Sequence, residues 1–317
     1  MPIWLLALLL AAGAPPPPAP APAPPLPPAA MRDALLLGIN RARVAAALPP
    51  IAPLPALDRV AQERAEEIRS RGALPDENEA MTLFGRVQSR LARAGYAAHG
   101  WTENLTATAG GPEAVLAAWQ EDPSYAQAMD SDYQHAGIGI ADLHGVPLYV
   151  FLFAWPRSEY FARQTAGLGD LAAVRREMLA IVNAARLVAG RSPLALDPRL
   201  NTAAQAHAAD MLARTYYNHV SPEGSQPRGR LLGAGYTGDI VGENIAAGQT
   251  SVEDVMEAWL HSEDHRRNIL DPRFTEIGIG LAVGSSEHRY KVMWVQDFAR
   301  PRTPGLPPGT NHGSPPS

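Results

Sequence analysis

The chain has 317 residues, of which 46% are hydrophobic and 19% charged, and its net charge at pH 7 is -5. This length accommodates two globular domains, and the acidic balance, with no run of Lys or Arg, excludes a nucleic-acid-binding surface formed by a basic segment. Because the chain has no cysteine, disulfides, Cys-ligated zinc, iron–sulfur clusters and thiol catalysis are also excluded.

The N-terminus predicts export. Residues 3–14 form an apolar run of signal-peptide length, and a proline- and alanine-rich tract follows at 15–30. The run is too short for a comfortable membrane span. An uncleaved short anchor is the alternative, because no Lys or Arg precedes the run and Pro15 follows its small residues. We expect the tract to be an extended spacer and the protein to be secreted or held in the cell envelope, peripheral to the membrane at most.

An internal repeat is the most informative feature of the sequence. The matched pairs, separated by 140 or 143 positions, are Asn40 and Asn183, Arg43 and Arg186, Gln62 and Gln205, Glu103 and Glu243, Asn104 and Asn244, and Trp119 and Trp259. The repeat predicts two tandem domains. The predicted segments are a signal peptide or anchor at 1–14, a spacer at 15–30, domain 1 at 31–156, a linker at 157–169, domain 2 at 170–300 and a disordered tail at 301–317.

In domain 2 the pattern predicts three helices and then a hairpin. Asp170 is the expected N-cap of the first helix, which ends before Gly190, and Asp197 with Pro198 begins the second. Thr250 and Glu253 form the capping box of a third helix. Alternation from Ile277 to Val283 and a return run from Tyr290 predict the two strands of the hairpin. Helices combined with an antiparallel sheet indicate a layered α+β domain.

Three polar segments of domain 2 carry the candidate chemistry. They are NHVSP at 218–222, GENI at 242–245 and AWLHSEDHRRNIL at 258–270. Together with IGIGLAV at 277–283, in this order, they resemble the CAP superfamily of cysteine-rich secretory proteins, antigen 5 and pathogenesis-related class 1 proteins, and most of all its bacterial branch. Domain 1 resembles the same family more faintly. The resemblance implies two tandem α-β-α sandwich domains.

The resemblance also implies a pocket in domain 2 that contains His219, Glu243 and His265. Ser262 stands where eukaryotic relatives have a second glutamate, and the neighbouring Glu263 points about 100° away on a helix. Asn244, Glu263 and Asn268 are expected to support the pocket. Two imidazoles and a carboxylate can bind a divalent cation such as zinc, with His219 and His265 as ligands, or serve as an acid/base pair.

Each of these residues has a purely structural alternative. His219 could cap a helix end, Glu243 could order its loop, and His265 could be a cation at a helix terminus. His207 lies on an apolar helix face and is read as a packed core histidine.

Domain 1 lacks the imidazoles of the proposed pocket. Tyr125 and Asp122 stand in the places of His265 and Ser262, and no histidine occurs near Asp76–Glu79, where His219 would match. We therefore expect domain 1 to be a structural or partner-binding copy without the pocket.

Three functions follow from these expectations, of which the third is simple mechanical tethering by the spacer and the tail. The first is a non-enzymatic, exported binding module for a hydrophobic, lipid-like ligand or a cell-envelope partner, because the chain has neither a Gly-x-Ser-x-Gly elbow nor a His-Glu-x-x-His helix. The second is a metal-assisted hydrolase that uses His219, Glu243 and His265.

Overall fold

The computed structural model describes residues 26–75, 86–123 and 125–302. The described residues divide into two compact units, one with 26–75, 102–131 and 136–153, the other with 86–101, 132–135 and 154–302. Each unit is described by itself. The predicted signal peptide at 1–14, most of the predicted spacer, the segment Asp76–Glu79 and all but two residues of the predicted tail lie outside the described residues.

Each repeat contains a four-stranded sheet with helices. The elements of the first repeat are α1 (Pro28–Ala45), β1 (Ala52–Pro53), α2 (Pro55–Arg71), α3 (86–93), β2 (Ala98–Ala107), α4 (Pro112–Gln120), α5 (Tyr125–Ala128), β3 (His135–Leu143), β4 (Val146–Pro156) and α6 (Arg157–Gln164). The elements of the second are α7 (Leu171–Val188), β5 (Ala195–Leu196), α8 (Pro198–Ala213), α9 (Pro227–Gly233), β6 (Gly238–Ala247), α10 (Val252–His261), α11 (Glu263–Leu270), β7 (Glu276–Val283) and β8 (Val292–Pro301).

The second sheet has the strand order β5-β7-β8-β6, which places β8 inside the sheet and β6 at its edge. The predicted hairpin is confirmed, because β7 and β8 pair antiparallel from Glu276 opposite Ala299 to Val283 opposite Val292. Strand β6 also pairs antiparallel with β8, and this register sets Glu243 directly opposite Asp297.

The sheet of the second repeat is covered on both faces, so the predicted α-β-α sandwich is observed. On one face the sheet packs against α8, around Ala208, Met211 and Val295. On the other face α7, α10 and α11 enclose a larger cluster around Met178, Trp259 and Trp294. A sheet with an apolar layer on each side explains why most of β7 and β8 is buried.

Two glycines in β7 let α8 lie very close to the sheet. A Cβ at Gly278 would lie 2.1 Å from the carbonyl carbon of Leu200, and one at Gly280 would lie 2.2 Å from that of Ala204. The first repeat has the same arrangement, since a Cβ at Gly137 would lie 2.1 Å from the carbonyl carbon of Leu57. Glycine is therefore needed here for close helix–sheet packing.

A buried arginine joins separate segments of each repeat. Arg186 is fully buried, and its guanidinium donates to four backbone carbonyl oxygens of the described residues, including those of Ile269 (2.7 Å) and Asp271 (3.0 Å). In the first repeat Arg43 donates in the same way to Ala128 (2.7 Å) and Asp130 (2.9 Å). The matched arginines of the repeat are thus structural.

Helix ends follow the predictions at two places and differ at a third. Asp170 and Asp197 cap α7 and α8 as predicted, each accepting from two backbone N–H groups. The predicted capping box of Thr250 and Glu253 is wrong by one residue, because Ser251 is the N-cap of α10 and accepts from the N–H of Asp254. Serine and threonine are both good caps, and the sequence offers them side by side.

Helical structure also occurs where a linker and a spacer are predicted. Within the predicted linker, residues 157–164 form α6 and Ala166–Leu168 a 3-10 turn. Helix α1 begins at Pro28, inside the predicted spacer. Of the helices in the described parts of the chain, none is both long enough and apolar enough to cross a bilayer.

Candidate functional site

Glu243 is the centre of a polar cluster in the second repeat. Its side chain is only 2% exposed, although it belongs to the edge strand β6. One carboxylate oxygen lies 2.7 Å from Nδ1 of His219, and Arg230 donates to the other. Two of the predicted pocket residues therefore meet, and Arg230 joins them.

Helix α9 and the loop after α8 position the groups around Glu243. His219 stands in this loop, and its backbone oxygen accepts from the Arg230 guanidinium at 3.0 Å. The same guanidinium nitrogen donates to the carbonyl of Ser225 at 2.9 Å. Arg230 thus holds both the loop and the carboxylate, which fixes the imidazole of His219 over Glu243 while leaving half of that side chain exposed.

His207 lies beneath the cluster, on the buried face of α8. It is packed in the core as predicted, with 1% exposure, and its Nε2 lies 3.9 Å from Oε1 of Glu243. A carbonyl oxygen can only accept, so the 3.1 Å bond between Nε2 and the Asn218 oxygen places a proton on Nε2. Burial lowers the pKa of His207. The ring is therefore neutral at pH 7, and the contact with Glu243 is not a salt bridge.

Asp297 adds a second buried acid opposite Glu243. It has no exposed surface, and neither of its carboxyl oxygens has a hydrogen-bond donor among the described residues. Burial and the nearby Glu243 carboxylate raise the pKa of Asp297 well above its ordinary value. Asp297 is therefore a buried acid whose charged form is disfavoured beside Glu243.

Ser262 and His265 form the second half of the cluster. The helical segment that contains them is interrupted at Ser262, which ends α10 and precedes α11. Its hydroxyl oxygen nevertheless lies 2.9 Å from Nδ1 of His265. Burial lowers the pKa of His265, and repulsion from His219 lowers it further. The neutral form of the His265 imidazole is therefore favoured.

The predicted supporting asparagines connect the two halves. Asn268 donates to the Asn244 side chain at 2.9 Å and to the backbone oxygen of Glu243 at 3.1 Å. Asn244, which is fully buried, donates to the backbone oxygen of His265 at 3.1 Å. These bonds tie β6 to α11. Glu263 is not brought to the cluster, because its side chain is 91% exposed and pairs with Arg267.

The donor set does not fit the predicted zinc site well. Both oxygens of Glu243 already have partners in Arg230 and His219, and Ser262 engages one ring nitrogen of His265. Among residues 26–75, 86–123 and 125–302, no group of three or more His, Asp or Glu is arranged to hold a metal ion. Zinc binding by His219 and His265 stays a prediction.

The family model for cysteine-rich secretory proteins, CAP, matches this chain twice, over residues 36–152 and 179–298. The chain belongs to the CAP family. The two matched regions correspond to the two sequence repeats, so the tandem copies and the family resemblance are both confirmed.

Relatives of this CAP protein occur in Bacillus subtilis. It is 36% identical over 134 residues to the uncharacterized protein YkwD, and the matched region covers 42% of this chain and 50% of YkwD. It is 30% identical over 106 residues to the uncharacterized membrane protein YlbC, covering 33% of this chain and 31% of YlbC. The chain thus spans half or less of the length of these relatives.

Two solved structures are also similar to parts of this chain. An extracellular protein of Bacillus anthracis with an SCP domain matches at 24% identity and a TM-score of 0.37, over 54% of this chain and 58% of that protein. An outer surface protein of Borrelia burgdorferi matches at 18% identity and a TM-score of 0.38, over 42% of this chain and 96% of that protein.

Sequence reasoning missed two members of the cluster in this CAP domain. Arg230 lies outside the three polar segments, and nothing in its local pattern distinguishes it from a surface arginine. Asp297 had a weak signal, because Gln296 and Asp297 interrupt the apolar run of β8 and are both fully buried. The pairing register was needed to show that Asp297 faces Glu243.

Proposed function

We propose that this CAP protein is an exported, non-enzymatic binding module, and that the second repeat binds an amphipathic, lipid-like ligand or a cell-envelope component. The observation that carries the proposal is the state of Glu243. Arg230 and His219 occupy both of its oxygens, so the carboxylate is a structural support for His219 and not a free base. The exposed part of the cluster is an imidazole with one ring nitrogen left for a ligand.

Apolar groups beside His219 support a ligand with a hydrophobic part. Val220 is 39% exposed and Tyr217 is 43% exposed, each within two residues of the imidazole. The Tyr217 hydroxyl donates to the backbone oxygen of Ile245 at 3.0 Å, which anchors the ring beside β6. An amphipathic molecule can therefore place its apolar part on Tyr217 and Val220 and a hydrogen-bonding group at His219.

The alternative of a metal-assisted hydrolase requires a free carboxylate or a third metal ligand. The bonds to Glu243 favour the binding function over this alternative. If zinc is bound, His219 and His265 would hold it and it would supply an activated water, and this remains to be tested.

The binding function is tested by identifying the small molecules that co-purify with the protein. The full chain, expressed in a bacterial host that exports it, is purified without detergent, and its organic extract is compared by mass spectrometry with that of two variants. We expect a lipid-like species in the wild type and its loss in His219→Ala with Val220→Asp. The control is His144→Ala, which removes an exposed histidine of the first repeat whose ring nitrogen bonds to the backbone oxygen of Gly72.

Two results would overturn the proposal. One is an extract with no ligand above the control level, combined with no partner recovered from envelope fractions. The other is stoichiometric zinc together with hydrolysis of peptide or cell-wall material that is lost in both His219→Ala and His265→Ala. Export is tested separately, by the presence of the chain in the culture medium or in envelope fractions.

A further inference from the structure

A cavity of about 790 Å³ lies on the side of α11 away from His265. Its lining includes four arginines that come from three separate parts of the second repeat. Arg191 follows α7, Arg266 and Arg267 belong to α11, and Arg273 follows α11. No run of basic residues in the sequence predicts this group, because the fold assembles it from distant positions.

The arginines of this cavity are only partly neutralised. Arg273 pairs with Asp271 at 2.6 Å, and Arg267 pairs with Glu263 at 3.3 Å. Arg191 and Arg266 have no ion-pair partner in the part of the chain that the structure describes, and both are exposed. The cavity therefore carries two positive charges that are available to a ligand.

The buried guanidinium of Arg186 adds to the positive potential. It donates to the backbone oxygen of Asp271, a residue of the cavity lining, and its four bonds among the described residues go to carbonyl oxygens. The Asp271 carboxylate interacts with both Arg186 and Arg273, so one acid is shared between two guanidinium groups. The low dielectric around a buried charge weakens its screening.

The first repeat shows that the fold does not need these arginines. Arg43 donates to the backbone oxygens of Ala128 and Asp130, as Arg186 donates to those of Ile269 and Asp271. The acceptors of the second repeat lie 141 positions after those of the first. The N–H of Leu48 donates to the Arg43 oxygen as that of Arg191 does to the Arg186 oxygen. In this alignment Arg191, Arg266, Arg267 and Arg273 correspond to Leu48, Tyr125, Ala126 and Asp132. The prediction that Tyr125 stands in the place of His265 is therefore wrong by one residue, because the acceptor carbonyls of the two buried arginines are 141 positions apart.

We propose that this cavity, the arginine site, binds a ligand that carries two or more phosphate groups. A guanidinium matches phosphate oxygens with paired donors, and two arginines without partners suit a ligand with more than one such group. The volume lies in the range of small-molecule sites. The proposal goes beyond the binding function assigned to the His219 cluster, since it concerns other residues. The phosphates can belong to a soluble molecule or to a lipid head group.

Binding of sodium tripolyphosphate to the full chain tests the proposal by calorimetry at low and moderate salt. We expect saturable binding that weakens at least about tenfold in Arg191→Ala with Arg266→Ala, because two charge-assisted contacts are lost. The control is Arg176→Ala with Arg289→Ala, which removes the same charge elsewhere on the second repeat and should change the affinity less than about twofold.

Vesicles distinguish the two phosphate sources. Sedimentation with cardiolipin vesicles, whose lipid carries two phosphates, supports a lipid head group if it is lost in the double arginine variant, and binding of tripolyphosphate alone supports a soluble ligand. The proposal is wrong if neither probe binds. It is also wrong if the double variant and the control lose equal affinity, because the effect would then be one of net charge. Thermal unfolding of both variants checks that they are folded.

Discussion

In the first repeat, Glu103 pairs with the buried Arg64, whose Nε lies 3.1 Å from a carboxylate oxygen. In the second repeat the matching Glu243 faces His207 instead, which stands in the place of Arg64, two residues after the matched glutamines 62 and 205. The first glutamate therefore meets a permanent cation from the helix beneath the sheet. The second meets a neutral ring there and takes its charge partner from Arg230.

The acid opposite the glutamate differs as well. Two pairs of matching backbone hydrogen bonds align the last strands of the two repeats. The N–H of Thr108 donates to the oxygen of Pro147, and the N–H of Gly248 donates to that of Val292. Likewise the N–H of Gln134 donates to the oxygen of Ala154, and the N–H of Thr275 donates to that of Ala299. In each of these matches the acceptor of the second repeat lies 145 positions after the acceptor of the first. The same offset makes Leu152 the counterpart of Asp297.

The comparison separates scaffold from site. The close-packing glycines, the buried arginine and the tryptophan of the helix occur in both repeats, so the fold requires them. His207, Asp297, the imidazoles and the free arginines occur only in the second repeat. A buried acid that the fold replaces by leucine elsewhere is a cost to stability, and such a cost is typical of a functional cluster.

The largest effect should come from the feature that both repeats share. Replacing Arg186 by Met removes the donor to four carbonyl oxygens, and we expect about 3–5 kcal/mol of destabilisation of the second repeat. Arg43→Met should do the same to the first repeat. Urea unfolding of the full chain, with hydrogen exchange read in peptides from 171–302 and from 28–156, assigns each loss to its repeat.

The exposed Arg176→Met on α7 is the control for this pair and should change stability by less than about 0.5 kcal/mol. If Arg186→Met were equally mild, the buried arginine would not be part of the common scaffold.

Close packing of helix on sheet should give the next effect. Gly278→Ala forces a Cβ against the backbone of Leu200, and we expect a loss of about 3 kcal/mol because backbone atoms cannot move aside easily. Gly233→Ala, at a helix position with open space, should change stability by less than about 1 kcal/mol. Equal unfolding midpoints for the two variants would contradict the close approach.

Giving the second repeat the leucine of the first should stabilise it. Asp297→Leu removes a buried acid without a donor, and we expect a gain of about 1–2 kcal/mol at pH 7. The pKa of Asp297 is raised in the folded state, so the folded protein binds more protons than the unfolded chain above about pH 4. Wild-type stability therefore falls as pH rises through this window.

The Asp297→Asn variant has no titratable group at this position, and its side chain has the shape of the aspartate. Its stability relative to wild type should therefore rise as the pH increases through the same range. Urea unfolding at several pH values measures this difference. A constant difference across the range would show that Asp297 is ionised in the folded protein.

The smallest effect should be the contribution of His207 to the pH dependence of stability. The pKa of His207 is lowered by burial, so below about pH 6.5 the unfolded chain binds a proton that the folded repeat does not. Stability should then fall on acidification, by up to about 1.4 kcal/mol per pH unit. His207→Asn should reduce this slope, and the first repeat, with Arg64 in the same place, should not show the His207 contribution.

Much of the scaffold could be predicted from the sequence, because it depends on local or periodic signals. Asp170 and Asp197 cap their helices as their residue type predicts, and the alternation from Ile277 predicted the hairpin. The helix break at Ser262 was missed, since the segment around it has good helix formers and no Gly or Pro. Serine is a common residue type before a helix, and Ser262 precedes α11 in an extended conformation, but a single serine does not distinguish a break from a continuous helix.

The candidate site was predicted only where the family motif names a residue. The motif placed His219 beside Glu243, and both asparagines support the cluster. Arg230 and Asp297 could not be predicted, because their roles depend on which residues the register and α9 bring to Glu243. The arginine site was missed for the same reason, since its members are separated by up to 82 positions, from Arg191 to Arg273.

Strand β6 lies at the margin of its sheet and hydrogen-bonds to one neighbour only, β8. A position there can exchange its partners while the central hairpin and its packing remain as they are. After duplication, one copy of such a strand can accept substitutions with little effect on the folding of its repeat. The edge placement of Glu243 therefore gives a physical reason why the two halves of one chain could diverge in chemistry and still share an architecture.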